Sequence, residues 1–302
     1  MQIGMIGLGK MGANMSRRLC RSGITVLGYN RSPEITRQLA EEEGLIACED
    51  LQSLISQLPS PRIVWLMLPS GEATELMLLK LEEYLSAGDI IIDGGNANYK
   101  DSQRRAELLS AAKLEFADCG TSGGIWGLEN GYCLMIGGKP QVIQLIQPVL
   151  QALAPSNDQG WAHVGPVGSG HFTKMIHNGI EYGMMQAMAE GFDLLKGKRE
   201  FQLDLAQISE LWRHGSVVRS WLLDLTAEFL HEDTELADIV PYVADSGEGR
   251  WTVQESIEQG IAAPVLTLAL QMRFTSQNEQ AYGNRMLAMM RKAFGGHSLK
   301  DK

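Results

Sequence analysis

The sequence is poor in cysteine: Cys20, Cys48, Cys119 and Cys133 are the only four in 302 residues, and no two form a C-x-x-C pair. A disulfide framework or a zinc site is therefore not expected, and all four thiols fit reduced positions within apolar stretches. Long hydrophobic runs are also lacking. The longest, Ile63 to Leu68, is far below the ~18 residues of a spanning helix, and no basic leader precedes the strand-like start at Gln2, so a cytoplasmic location is expected. Positive charge is short as well, with 26 Lys and Arg against 36 Asp and Glu and a formal net charge of −10. That balance argues against a broad nucleic-acid or membrane surface, yet a few local cations would still hold a small anion. The six histidines show no H-E-x-x-H or comparable spacing, and no metal is expected.

What is present is globular in kind: 44% of residues are hydrophobic and 21% charged. At ~150 residues per domain the length suggests two domains. Short β-branched runs alternate with helical patterns up to about residue 165, the signature of βαβ units and a mainly parallel sheet. Expected strands are Ile3–Ile6, Thr25–Tyr29, Ile63–Leu68, Ile90–Asp93, Glu115–Asp118 and Cys133–Ile136, with a first helix over Met11–Arg21. The Gly- and Pro-containing segment Gly160 to Gly170 reads as a separator. Beyond it, Phe172–Leu195, Leu205–Trp212, Val217–Leu230, Thr252–Glu258, Pro264–Ser276 and Arg285–Phe294 look helical. The expectation is an α/β chain: a doubly wound sheet over 1–167, then an all-α domain over 168–302.

Gly7-Leu8-Gly9-Lys10-Met11-Gly12 fits G-x-G-x-x-G directly after a strand and at the opening of a helix, the context of a Rossmann-type dinucleotide site. The helix N-terminus adds N–H groups and positive dipole for a pyrophosphate. At the end of the second strand, where an acidic side chain would select NAD by bonding a ribose 2′-hydroxyl, the sequence has Asn30-Arg31-Ser32. Arg31 can pair with a 2′-phosphate and Ser32 can donate to it, which favours NADP, with NAD possible. Leu68, Pro69 and Asn96 complete the expected cofactor set.

Two further loops leave strand ends: Asp93-Gly94-Gly95-Asn96, and Cys119-Gly120-Thr121-Ser122-Gly123-Gly124, whose N–H groups and Ser122 hydroxyl suit a carboxylate. The sharpest signal opens the helical half. Lys174, His177, Asn178 and Glu181 are spaced i, i+3, i+4 and i+7, so they share one helix face, which is expected to line the junction between domains. In such a setting a lysine can act as base and a carboxyl as acid.

With K-M-x-H-N-G-I-E-Y at Lys174 to Tyr182, G-G-N at Gly94 to Asn96, S-G-G at Ser122 to Gly124 and R-x-x-F-G-x-H at Arg291 to His297, the chain resembles 6-phosphogluconate dehydrogenase, the decarboxylating enzyme of the pentose phosphate route, within the β-hydroxyacid dehydrogenase superfamily. The resemblance implies that Lys174 takes the 3-hydroxyl proton while hydride leaves C3, and that Glu181 protonates C1 after carbon dioxide departs. It assigns Asn96, Ser122, Gly123, Gly124, His177 and Asn178 to sugar and carboxylate, and Tyr182, Arg273, Arg291 and His297 to the phosphate end. It also implies a homo-oligomer, dimer or tetramer, whose C-terminal tail reaches a neighbouring subunit. Two departures stand out. Many members have a substrate-contacting lysine where this chain has Ser246 or a neighbour, and the chain resembles a short form whose members are often NAD-dependent.

Two other readings compete. A 3-hydroxyisobutyrate-type dehydrogenase would share the fold, the nucleotide loop and Lys174 without decarboxylating; Glu181, Tyr182 and the Arg291–His297 frame argue against it. A non-catalytic NADPH-binding regulator would be expected to have lost the Lys174 or Glu181 type, and both are present.

Overall fold

The computed structural model describes residues 1–278 and 282–295. The elements run β1 (Gln2–Ile6), α1 (Lys10–Arg21), β2 (Thr25–Tyr29), α2 (Pro33–Glu43), β3 (Ile46–Ala47), α3 (Leu51–Gln57), β4 (Ile63–Leu66), α4 (Glu72–Glu82), β5 (Ile90–Asp93), α5 (Tyr99–Ser110), β6 (Glu115–Ser122), α6 (Gly127–Asn130), β7 (Cys133–Gly137), α7 (Pro140–Leu153) and β8 (Trp161–Gly165). After them come α8 (Ser169–Gly197), α9 (Leu205–Trp212), α10 (Trp221–Glu232), α11 (Glu248–Gln259), α12 (Pro264–Ser276) and α13 (Tyr282–Gly295).

The strands form one sheet in the order β3-β2-β1-β4-β5-β6-β7-β8. Every pairing is parallel except β6 with β7, which is antiparallel, so β7 and β8 run against the other strands. The apolar strands are continuous runs because both faces are covered, yet the pleat still sorts them. Ile3, Met5, Trp65, Ile90 and Ile92 enter one core with Met15 and Leu19 of α1 and Ile146 and Leu150 of α7. Ile6, Val64, Leu66, Ile91 and Phe116 enter the other with Leu54 of α3 and Leu81 of α4. Each such side chain, fully buried, stabilises the fold by roughly 1.5–3 kcal/mol.

Contacts divide the chain into two compact units, Met1–His177 and Asn178–Lys302, with the division inside α8. In the second unit α9 packs on α10 and α11 on α12. Phe192 of α8 meets Trp212 of α9 edge to face, ring centroids 5.8 Å apart.

The α/β half and the helical half are as the sequence predicts, with corrections of detail. The expected separator Gly160 to Gly170 contains β8, an edge strand with a mostly exposed face. β6 extends to Ser122, four residues past its expected end. α10 starts at Trp221 and not Val217, because the Ser220 side chain caps the N–H of Leu223. α11 begins at Glu248, so Gly249 is helical: a Cβ there would meet the Tyr182 ring at 2.6 Å. Cys133, expected in an apolar interior, is exposed at the start of β7, whereas Cys48 and Cys119 are buried and Cys20 is half-buried.

Candidate active site

The nucleotide turn, the Met67–Pro69 segment and the Gly94–Asn96 loop meet at the C-terminal ends of β1, β4 and β5. Backbone bonds tie each to the preceding strand's neighbour: Gly7 N–H to Tyr29 O (3.0 Å), Met67 N–H to Ile6 O (2.8 Å) and Gly94 N–H to Leu66 O (2.9 Å). Gly7 has φ +92°, a conformation that side-chain-bearing residues rarely adopt, and a Cβ at Gly12 would meet Gly7 O at 2.0 Å. At Gly9 a Cβ would meet nothing within 4 Å, so the turn's open side faces outward from the helix cap. A cradle of this kind, at the uncapped N-terminus of α1, fits a dinucleotide pyrophosphate.

Asn30 is turned onto that turn. Its Oδ1 accepts the Leu8 N–H at 3.0 Å, and its Nδ2 donates to Ser32 O at 3.1 Å. Arg31 and Ser32 are exposed beside it, and no carboxylate occupies the strand end.

Asp93 shapes the Gly94–Asn96 loop. Its Oδ1 accepts the Gly95 N–H at 3.1 Å, while Oδ2 pairs with Arg105 Nη1 at 2.8 Å in an ion pair where both side chains are 1% exposed. Arg105 Nε in turn reaches Glu75 at 2.8 Å. Hydrogen bonding to Arg104 holds the Glu75 carboxyl below its ordinary pKa, and Arg105 adds to the effect.

Lys174 reaches this edge of the sheet by way of β6. A Cβ at Gly120 would meet the Lys174 Cβ at 2.3 Å and Gly170 O at 2.7 Å, so α8 lies directly on the strand. Lys174 is thereby set two residues along β6 from Ser122 and the Gly123-Gly124 turn. The first turn of α8 is fixed to β6 by Asp118, which is fully buried and accepts the N–H groups of Gly168 (2.6 Å) and His171 (2.7 Å). His171 Nδ1 also bonds the Ser102 hydroxyl of α5 at 2.7 Å, and Tyr99 of α5 meets Phe172 edge to face at 5.2 Å. Nothing in the sequence marks Asp118 or Ser102 for a role. Their signal is faint: an Asp within a strand and a Ser within a helix are ordinary until the partner helix is placed.

α8 is one helix from Ser169 to Gly197, so the expected common face of Lys174, His177, Asn178 and Glu181 follows from its periodicity, and all four are half-buried. Within the second unit, Asn178 Nδ2 donates to Glu248 Oε1 at 3.2 Å. The Tyr182 hydroxyl lies 3.1 Å from Ser246 Oγ, and the Arg273 guanidinium stacks 3.5 Å above the Tyr182 ring centroid while donating to Ala244 O at 2.7 Å. Tyr182, Arg273 and Ser246 are thus brought together. Arg250 is not part of that group's chemistry: it pairs with Asp245 and stacks on Phe274 at 4.4 Å. Arg291 is exposed on α13, and His297 lies outside the described residues.

A family model described as the NAD binding domain of 6-phosphogluconate dehydrogenase matches residues 2–165, and one for the C-terminal domain of the same enzyme matches 170–299. An NAD(+)-dependent, decarboxylating 6-phosphogluconate dehydrogenase of Haloferax volcanii is 40% identical over 303 residues, covering 100% of this chain and 99% of the relative. The decarboxylating enzyme of Escherichia coli is 37% identical over 287 residues, 91% of this chain but 61% of its own. A solved structure of 6-phosphogluconate dehydrogenase from Plasmodium falciparum superposes with a TM-score of 0.85 at 30% identity, covering 100% of this chain and 66% of that one.

Proposed function

The chain belongs to the 6-phosphogluconate dehydrogenase family, and from that premise we propose that it oxidises 6-phosphogluconate to ribulose 5-phosphate and carbon dioxide, with NADP as hydride acceptor and NAD as the alternative. The observation that carries this reading is the seating of Lys174 against Gly120, beside the Ser122–Gly124 turn and on the sheet edge where the nucleotide turn opens.

In this reading Gly7 to Gly12, Asn30, Arg31, Ser32, Leu68, Pro69 and Asn96 hold the dinucleotide, whose nicotinamide supplies the hydride acceptor when bound. Lys174 takes the proton of the substrate 3-hydroxyl. The resulting 3-keto acid loses its carboxylate without a metal, because a β-keto acid leaves an enolate that hydrogen-bond donors can stabilise. Glu181 then delivers a proton to C1. Ser122, Gly123 and Gly124 receive the substrate carboxylate, Asn96, His177 and Asn178 its hydroxyls, and Tyr182, Arg273, Arg291 and His297 its phosphate. The Arg273 fork suits a phosphate, and the Tyr182 ring beneath it fixes its plane.

The second unit exposes Ile180, Met184 and Met185 of α8, Val265, Leu268 and Met272 of α12, and Met286, Leu287, Met289 and Met290 of α13. Apolar surface of that extent supports a homo-oligomer, dimer or tetramer, with the tail after α13 contacting a neighbouring subunit. Among the described residues no helix is long and apolar enough to cross a membrane, and a cytoplasmic location is part of the same proposal.

One assay tests the activity. Absorbance of reduced cofactor is followed with 6-phosphogluconate, then with 3-hydroxyisobutyrate, each with NADP and with NAD, while released carbon dioxide is trapped. The expected result is cofactor reduction and carbon dioxide with 6-phosphogluconate alone. Lys174→Met should lower kcat by roughly 10²–10⁴ and Glu181→Gln should slow mainly the later protonation; reduction without carbon dioxide, or a fully active Lys174→Met, would contradict the mechanism.

A further inference from the structure

α1 carries more than the nucleotide turn at its N-terminus. Asn14 and Arg18 stand one helical turn apart on one of its faces. The Arg18 guanidinium donates to five backbone carbonyls: Nε to Ala152 O and Leu153 O, both at 3.1 Å, Nη1 to Leu128 O at 3.1 Å and Glu129 O at 3.4 Å, and Nη2 to Ala154 O at 2.6 Å. Asn14 Nδ2 adds a longer bond to Ile125 O at 3.4 Å. The Arg18 acceptors are carbonyls in or just beyond the last turns of α6 and α7, which lack partners within their own helices, and the cation meets the negative ends of both.

Those two helix ends frame the segment that leaves β6 after Ser122 and returns as β7. The segment is pressed onto its base at two glycines: a Cβ at Gly127 would meet the Tyr132 ring at 2.0 Å, and one at Gly131 would meet Pro155 N at 2.3 Å. The Tyr132 N–H donates to Leu153 O at 2.9 Å, one of the carbonyls that Arg18 also holds. Arg18 therefore binds the returning segment directly through α6 and again through the residue that anchors its far end. The chain between Ser122 and Cys133 is tied to the dinucleotide helix by two side chains, Arg18 at α6 and, through one longer bond, Asn14 at Ile125.

We propose that Arg18 is a positioning residue for the substrate: it holds the Ser122-Gly123-Gly124 turn at a set distance from the nucleotide turn, so that the turn's hold on the substrate carboxylate depends on the helix that binds the cofactor. This rests on the activity proposed above. A lysine at the same place has one ammonium and cannot span carbonyls of two helices, whereas the planar fork of arginine does so.

The test is steady-state kinetics on the whole chain, varying 6-phosphogluconate and the preferred cofactor in turn, for the parent, Arg18→Lys and Arg18→Ala. The KM for 6-phosphogluconate should rise about tenfold in Arg18→Lys and further in Arg18→Ala, while the KM for the cofactor stays within about twofold. Millimolar guanidinium ion should bring the substrate KM of Arg18→Ala back toward the parent's. If either variant, folded by circular dichroism, keeps the parent's substrate KM, or if the cofactor KM moves as far as the substrate's, the proposal is overturned. If Arg18→Ala fails to fold, the same split in Arg18→Lys decides it. A parent that does not turn over 6-phosphogluconate shows instead that the activity reading fails, before any variant is compared.

Discussion

Asp118 of β6 grips His171 of α8 by its backbone: the carboxylate Oδ2 accepts the His171 N–H at 2.7 Å while Oδ1 accepts that of Gly168 at 2.6 Å. A carboxylate at the start of a helix answers both its orphan donors and its positive dipole, and here it is fully buried. The relationship matters because the next turn of the helix carries Lys174.

Replacing Asp118 with Asn keeps one acceptor and turns an NH₂ group toward the other N–H, which leaves a buried donor unpaired. The expected cost is about 2–3 kcal/mol, read as a lower midpoint in thermal unfolding. Turnover at saturating substrate should also fall while the cofactor KM holds. An Asp118→Asn protein as stable as the parent would show that water or a shifted backbone satisfies the helix start.

Arg31 is exposed at the end of β2 with Asn30 turned away onto Leu8. Arg31→Ala should therefore raise the KM for NADP by about tenfold, the effect of one charge-assisted phosphate contact, and leave the KM for NAD nearly unchanged. Equal effects on both cofactors would remove Arg31 from the selection of the 2′-phosphate.

Glu75 gives a pH-dependent term in stability. Its hydrogen bond to Arg104, with help from Arg105, lowers its pKa in the folded protein, so the stabilisation is present above the ordinary glutamate value of about 4.3 and is lost as pH falls through the lower folded value. The thermal midpoint of Glu75→Gln should lie below the parent's at pH 7, and the gap should close below about pH 4. A gap that persisted in acid would mean that packing and not ionisation is responsible.

The four thiols should react in order of access. Cys133 is exposed, whereas burial pushes the Cys119 thiol up to about 12, which leaves almost no thiolate at neutral pH. Under native conditions a maleimide should modify Cys133 first and spare Cys119, with all four labelled after denaturation; mass spectrometry of digested protein reads the sites. Early labelling of Cys119 would contradict its burial in the sheet.

Much of the frame is legible in the residues because parallel strands covered on both faces must be short, continuous and apolar, as Ile63 to Leu66 and Ile90 to Ile92 are. β8 escapes that logic. Trp161-Ala-His-Val-Gly sits at a sheet edge among glycines and a proline, and its exposed face is mixed in character. β3 is two residues long and carries no pattern at all. In the site, the glycine turn, Asn30 and the Lys174 face can be read locally, since their meaning depends on spacing along one element. Arg18 and Asp118 cannot. Their partners lie at the ends of other elements, and the backbone atoms they hold leave no trace in the sequence.

The reversal between β6 and β7 sets a dimension of the molecule. Because β8 ends level with Asp118, the chain must turn there and climb along β6 to bring the base of the Lys174 side chain over Gly120. Helix pitch then acts as a screw gauge: one residue added between His171 and Lys174 would swing the ammonium through about 100° and lift it about 1.5 Å, carrying it off the strand. Insertions in loops away from the candidate site only lengthen the outline of the protein, whereas this three-residue step admits no change of length at all.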